Sequence, residues 1–184
     1  MKKEEISNII KASINTYDIC KIDFKYSKYS LYCYLINQSE ELFYELEEDD
    51  FLVDGFEIRR IKDIKNIEVQ NSICTKINKN NQILKNINPP TININSWKDV
   101  FNSLQKLNKI VIIENETKNE KKSDFAIGKI KDVYDNKVIF KAFGSDGNWW
   151  EGEVGIPYRY ITTVIFNSRY CNEWEKYFKN IEND

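Results

Sequence analysis

Between Ile19 and Phe166 the apolar and β-branched residues come in short runs of five to nine, each closed by turn-forming residues. A chain written this way builds short strands, because turn chemistry cuts every run before a long helix can form. The runs are Ile19–Lys25, Leu31–Asn37, Leu42–Glu47, Phe56–Ile61 and Ile64–Val69, then Ile110–Asn115, Phe125–Val133, Lys137–Phe143, Val154–Tyr158 and Ile161–Phe166. Each group of five follows a helical stripe. Ile6, Ile9, Ile10 and Ile14 make the first, and Trp97, Val100, Phe101, Leu104 and Leu107 the second. Ser96 and Asp99 sit where a capping box places them. The expected fold is therefore mainly β with helices (α+β): two tandem helix-plus-five-strand small barrels, closed by a C-terminal helix.

The halves also correspond in sequence. Ile64 pairs with Ile161, Ile67 with Val164, Val69 with Phe166, Cys74 with Cys171 and Gly55 with Gly152, all at a spacing of 97. Leu42-Phe43-Tyr44 matches Val138-Ile139-Phe140 at a spacing of 96. The correspondence predicts a duplication, with both terminal strands buried. It divides the chain into residues 1–78, a linker at 79–95 that is rich in Asn and contains Pro89-Pro90, and residues 96–184. Trp174, Tyr177, Phe178 and Ile181 share one face of the last helix, for which Asn172 is the expected cap and Glu175 the residue completing a box.

A helix followed by five short bent strands resembles the Sm-like small β-barrel, a relative of SH3-type barrels. The stretches answering to that family's last hairpin are Ile58-Arg59-Arg60-Ile61 and Ile156-Pro157-Tyr158-Arg159, and neither carries the family's pair of a basic residue and Gly. Leu31-Tyr32-Cys33-Tyr34-Leu35 is similar to the aromatic strand of WYL regulatory domains, which share the barrel type. The resemblance implies RNA or other nucleic-acid binding as an alternative function.

Composition narrows the chemistry. Lys and Arg number 27 against 29 Asp and Glu, so the net charge of −2 gives no broad positive field for phosphate. There is no His, which removes the commonest general base and metal ligand. Cys20, Cys33, Cys74 and Cys171 form no Cys-x-x-Cys, and no Gly-rich phosphate loop is present. These features predict no catalytic residues, no metal and no cofactor. The start of the chain has no apolar leader and no window spans a bilayer, which reads as a cytoplasmic protein with buried free thiols and no membrane contact.

Two constellations remain as candidate partner-binding sites. Glu40, Glu41, Glu45, Glu47, Glu48, Asp49, Asp50 and Asp54 fall within 15 residues without a Lys or Arg among them. Alternation sends Leu42, Tyr44 and Leu46 inward and Glu45 and Glu47 to a solvated face, so Glu47, Glu48, Asp49 and Asp50 are read as a docking patch for a basic partner. In Asp146-Gly147-Asn148-Trp149-Trp150-Glu151, adjacent tryptophans point to opposite faces, which exposes one of them as an interface anchor. The functional expectation is a non-catalytic protein-binding module. By analogy this suits an inhibitor, such as an immunity protein against a toxin or a phage-encoded antagonist of host defence. A small-molecule sensor with its ligand between the two barrels is a further alternative.

Overall fold

The strand-like runs become strands nearly where the alternation puts them. A computed structural model of the chain describes residues 1–14 and 16–181. In chain order the elements are α1 (Lys3–Ser13), β1 (Cys20–Phe24), β2 (Ser30–Gln38), β3 (Leu42–Asp49), β4 (Leu52–Arg60), β5 (Ile64–Val69) and α2 (Ile73–Asn81). They continue with α3 (Trp97–Leu107), β6 (Val111–Asn115), β7 (Asp124–Val133), β8 (Lys137–Ala142), β9 (Val154–Pro157), β10 (Thr163–Phe166) and α4 (Arg169–Ile181). No helix among the described residues is long and apolar enough to cross a membrane.

The architecture differs from two barrels. All ten strands form a single antiparallel sheet in the order β5-β1-β2-β3-β4-β10-β6-β7-β8-β9. Each half has the same internal order, fifth strand, then first to fourth, as a duplication requires. The sheet is not closed: β5 and β9 are its two edges, and β4 pairs with β10 of the other half. The resemblance to Sm-like and SH3-type barrels fails on that point. Val164 stands opposite Ile58 and Phe166 opposite Phe56, both apolar pairs on one sheet face, so the joint between the halves buries core rather than linker.

Side-chain alternation distributes the core over both faces. One face carries a continuous apolar cluster that crosses the joint, from Tyr34, Tyr44 and Phe56 to Val164, Val111 and Val138. Helix α3 covers it with Trp97, Val100, Phe101 and Leu104, helped by Ile92 and Ile94. The opposite face carries two separate clusters. Ile6 and Ile10 of α1 cover Cys20, Ile22, Phe24, Cys33 and Phe43 in the first half, and Phe178 of α4 covers Ile110, Ile112 and Phe143 in the second.

Several local expectations change. Ile64, Ile67, Ile161, Val164 and Phe166 are buried, but Val69 lies 47% exposed on the edge strand β5, where no further strand covers it. Cys20, Cys33 and Cys171 are buried free thiols, whereas Cys74 is exposed. Helix α4 starts three residues before Asn172: its cap is Ser168, whose Oγ accepts from the Cys171 N–H at 3.2 Å. Glu175 completes no box and instead accepts from the Ile110 N–H and from Lys109 Nζ, both at 3.0 Å, tying α4 to the start of β6.

Candidate functional site

Between the apolar clusters on the two-cluster face, the joint strands carry polar residues. Glu45 of β3 stands opposite Glu57 of β4, and Arg59 opposite Thr163 of β10. Arg59 donates from Nε to Glu57 at 2.6 Å and from an Nη to Glu116 at 2.9 Å, and its guanidinium lies 4.8 Å from the Phe24 ring centre. Glu116 also accepts from the hydroxyls of Thr162 and Thr163, at 3.1 and 2.6 Å. A single cation thus bridges carboxylates from both halves inside the protein. Burial would lower the Arg59 pKa, but Glu57 and Glu116 overcome it and hold the group charged.

Glu45 is the unpaired member. It is fully buried, no donor reaches either carboxyl oxygen among the described residues, and the acceptor it faces when protonated is Glu57, its cross-strand neighbour. Burial, and then the neighbouring Glu57, push its pKa well above the usual carboxylate range. The expectation that Glu45 belongs to a solvated strand face is therefore wrong. Register places it over the seam rather than over water. Glu47 is half-buried and is raised to about 7 by burial and by Glu57. Among the described residues no group of three or more His, Cys, Asp or Glu is placed to hold a metal ion.

The acidic hairpin tip is the turn between β3 and β4. Asp49 pairs with Leu52, leaving Asp50 and Phe51 as the loop, both at positive φ (44° and 72°). Asp49 and Asp50 are exposed, but Glu48 is engaged, accepting from Asn78 Nδ2 at 2.9 Å and from the Phe51 N–H at 3.1 Å. The four acids of this tip therefore do not form one free patch.

The second constellation is better formed. Asp146 braces its own turn, accepting from the Asn148 backbone and side-chain N–H groups at 3.1 and 2.9 Å. Gly147 takes φ 78° with the Tyr177 ring pressed against it, so the turn is clamped to α4. Trp149 packs inward, its ring centre 4.7 Å from Phe178 and 5.2 Å from Phe143. Trp150 points the other way and is 47% exposed, and Glu151 is exposed beside it.

Trp150 does not stand alone. It lines a groove of about 420 Å³ between the edge strand β9 and the facing ends of β6 and β7, with Phe125, Val154, Ile156 and Tyr160. Phe125, Val154 and Tyr160 are themselves exposed, so large apolar side chains from distant parts of the sequence converge on one surface. The groove lining also includes Glu114 and Asp124 and no Lys or Arg. Burial, and then Glu116, raise Glu114 to about 7. Glu47, Glu48, Asp49 and Asp50 are absent from this lining, so the two predicted sites are not brought together. Phe125 and Tyr160 were not read as site residues from sequence. Tyr160 follows Arg159, whose guanidinium stacks 4.7 Å from its ring centre, and only the folded sheet brings both near Trp150.

No protein-family model, curated protein or solved structure matches the chain.

Proposed function

We propose that the chain is a non-catalytic protein-binding module that docks a basic, apolar segment of another protein in the Trp150 groove. The observation that carries this reading is the convergence of Phe125, Trp150, Val154 and Tyr160, all exposed, around a groove whose charged lining residues, among those described, are Glu114 and Asp124, with Arg159 stacked on Tyr160 and Lys141 bonded to the Trp150 carbonyl at its rim. Exposed aromatics supply large contact area at low entropic cost, and carboxylates at a rim speed the approach of a cationic partner. The same aromatics would suit stacked nucleobases, but Glu114 and Asp124 would repel the phosphates between them, which favours protein.

Panning a random peptide library on the full-length chain tests the reading. The selected sequences should combine Lys or Arg with aliphatic or aromatic residues, and Trp150→Ala should weaken their binding about tenfold or more. Selection of acidic peptides, or equal binding by the Trp150→Ala variant, would overturn the proposal. Tight binding of single-stranded RNA with a steep salt dependence would replace it with the nucleic-acid reading.

A further inference from the structure

The two halves leave one strand edge in different states. β4 and β9 are the fourth strands of their halves, and the spacing of 97 that relates Gly55 to Gly152 also relates Phe56, Ile58 and Arg59 to Glu153, Gly155 and Ile156. The outer edge of β4 carries an added antiparallel strand. The four residues of β10 pair there, Val164 with Ile58 and Phe166 with Phe56. β9 pairs with β8 alone, so the equivalent edge is open.

The backbone groups on both edges follow from register. The Tyr158 N–H donates to the Asn136 carbonyl at 3.1 Å. Hydrogen-bonded pairs recur at every second residue of an antiparallel ladder, so Ile156 and Val154 turn their N–H and C=O groups to Val138 and Phe140 of β8. Gly155 and Glu153 therefore turn theirs outward. On β4 the Ile61 N–H donates to the Glu41 carbonyl at 2.8 Å, and the same count turns Ile58 and Phe56 outward to β10. The two edges thus present the same groups in the same phase. Pro157 has no N–H to offer, but it lies beyond the four positions that answer to those β10 uses on β4. Val154 and Ile156 line the Trp150 groove, so a strand added to β9 would run along it.

We propose that the segment docked in the Trp150 groove is an extended strand that adds antiparallel to β9, as β10 adds to β4. This rests on the reading of the groove as a protein-binding site and specifies its occupant. The middle residue of the segment exchanges two backbone bonds with Gly155. The residues on either side of it point into the groove, beside Val154, Ile156 and the exposed rings of Trp150 and Phe125, and are apolar. The middle residue faces Lys137, whose Cδ lies 3.6 Å from where a Cβ on Gly155 would stand, so it is polar and uncharged. A lysine at the far end meets Glu153, which is exposed beside Glu151 at the start of β9. Main-chain bonds give such a complex its affinity, and the alternate side chains give it specificity.

The probe is the blocked peptide acetyl-Lys-Ile-Thr-Phe-Lys-amide, titrated into the ¹⁵N-labelled full-length chain and followed by NMR. Two variants of the peptide carry an ester in place of one amide. One loses the N–H of its threonine, which donates to Gly155, and the other that of its isoleucine, which points away from β9. The expected result is slowed hydrogen exchange of the Gly155 amide on binding, and affinity about three- to tenfold lower for the threonine ester than for the isoleucine ester. Binding that shifts the Trp150 indole and is weakened by Trp150→Ala, with Gly155 exchange unchanged and the two esters equal, would overturn strand addition and leave the groove reading standing. No shift at Trp150 or Gly155 at millimolar peptide would overturn it as well, and the library selection then decides the groove reading by itself. A Gly155 amide already protected in the free chain, with sedimentation showing oligomers, would overturn it by giving this edge to the open β5 edge of a second copy.

Discussion

At the scale of single residues, the molecule turns on how it keeps charge inside. Among the described residues no donor reaches either carboxyl oxygen of Glu45, and its pKa is raised by burial and by Glu57. Glu47 and Glu114 are raised to about 7. A carboxyl with a higher pKa folded than unfolded stabilises the fold below its unfolded value near 4.5, and that stability is lost as pH rises through the folded value. The melting temperature should therefore fall between about pH 4.5 and 7 under the influence of Glu47 and Glu114, and the raised Glu45 should add to the fall. Glu45→Gln keeps the shape and removes the charge. It should stabilise the protein by about 1–2 kcal/mol at pH 8 and change little at pH 5, as measured by urea unfolding at the two pH values. An equal effect at both would show that Glu45 is not held neutral. The paired glycines give a second contrast. A Cβ on Gly55 would sit 2.6 Å from the Ser168 Cα, at φ 82°, whereas one on Gly152 would meet nothing within 4 Å. Gly55→Ala should cost about 2–4 kcal/mol and Gly152→Ala less than about 0.5 kcal/mol, so chemical denaturation of the two variants separates a backbone contact from a repeat relic. The spacing of 97 made both positions visible, but not their difference, because Ser168 reaches Gly55 only through the joint of β4 with β10. The burial of Glu45 was hidden for a similar reason. Alternation gives a side chain a face, and only the pairing of strands decides whether that face is wet.

Whole elements were more legible than their neighbourhoods. The ten strands sit close to the ten apolar runs because turn residues close each run locally, and α3 begins after Ser96, whose Oγ accepts from the Asp99 N–H at 3.1 Å. Helix α2 was not visible in Ile73–Asn81, a short stretch of Asn and β-branched residues with low helical propensity. Only its cap, Ser72, accepting from the Thr75 N–H at 3.2 Å, marked it. Helix α4 was visible as a stripe, and its contacts set its contribution. Phe178 is buried, and the ring centres of Trp174 and Phe178 lie 4.8 and 4.9 Å from that of Phe143. Phe178 also supports Trp149, and thereby the turn that presents Trp150. Ending the chain at Asn172 removes these rings and the Glu175 acceptor of the Ile110 N–H. At roughly 1.5–3 kcal/mol for each well-buried aromatic, the loss should reach about 3–6 kcal/mol against a typical total of about 5–15. Thermal unfolding of the truncated chain should show a large drop in midpoint and loss of the near-ultraviolet signal of Trp149. An unchanged melt would mean that α4 is a peripheral tail.

At the scale of the molecule, the decisive event is the pairing of β4 with β10, which local sequence does not encode. Ten strands in two equivalent sets can close on themselves or join edge to edge, and the choice depends on which edges compete best once both sets exist. Joining wins here with three kinds of contact. Ile58 and Phe56 meet Val164 and Phe166 in one apolar cluster, backbone bonds run along the joint, and Arg59 reaches Glu116 across it. Separation would leave each half with an open edge strand, and Arg59 would lose one of the two carboxylates that it bridges. The two halves should therefore behave as one cooperative unit, with a single calorimetric transition for the intact chain. Fragments 1–95 and 96–184 made separately should be unfolded or aggregated. Mixed during refolding, they should recover the circular dichroism of the intact chain and elute as one complex, and Arg59→Ala should weaken that recovery more than its effect on a surface site would suggest, because Glu57 and Glu116 would then be left unneutralised. The measurement is a refolding titration of one fragment into the other. A fragment 1–95 that melts sigmoidally by itself would show that the first half closes its own core, and that the joint is an interface between independent domains rather than part of a shared fold.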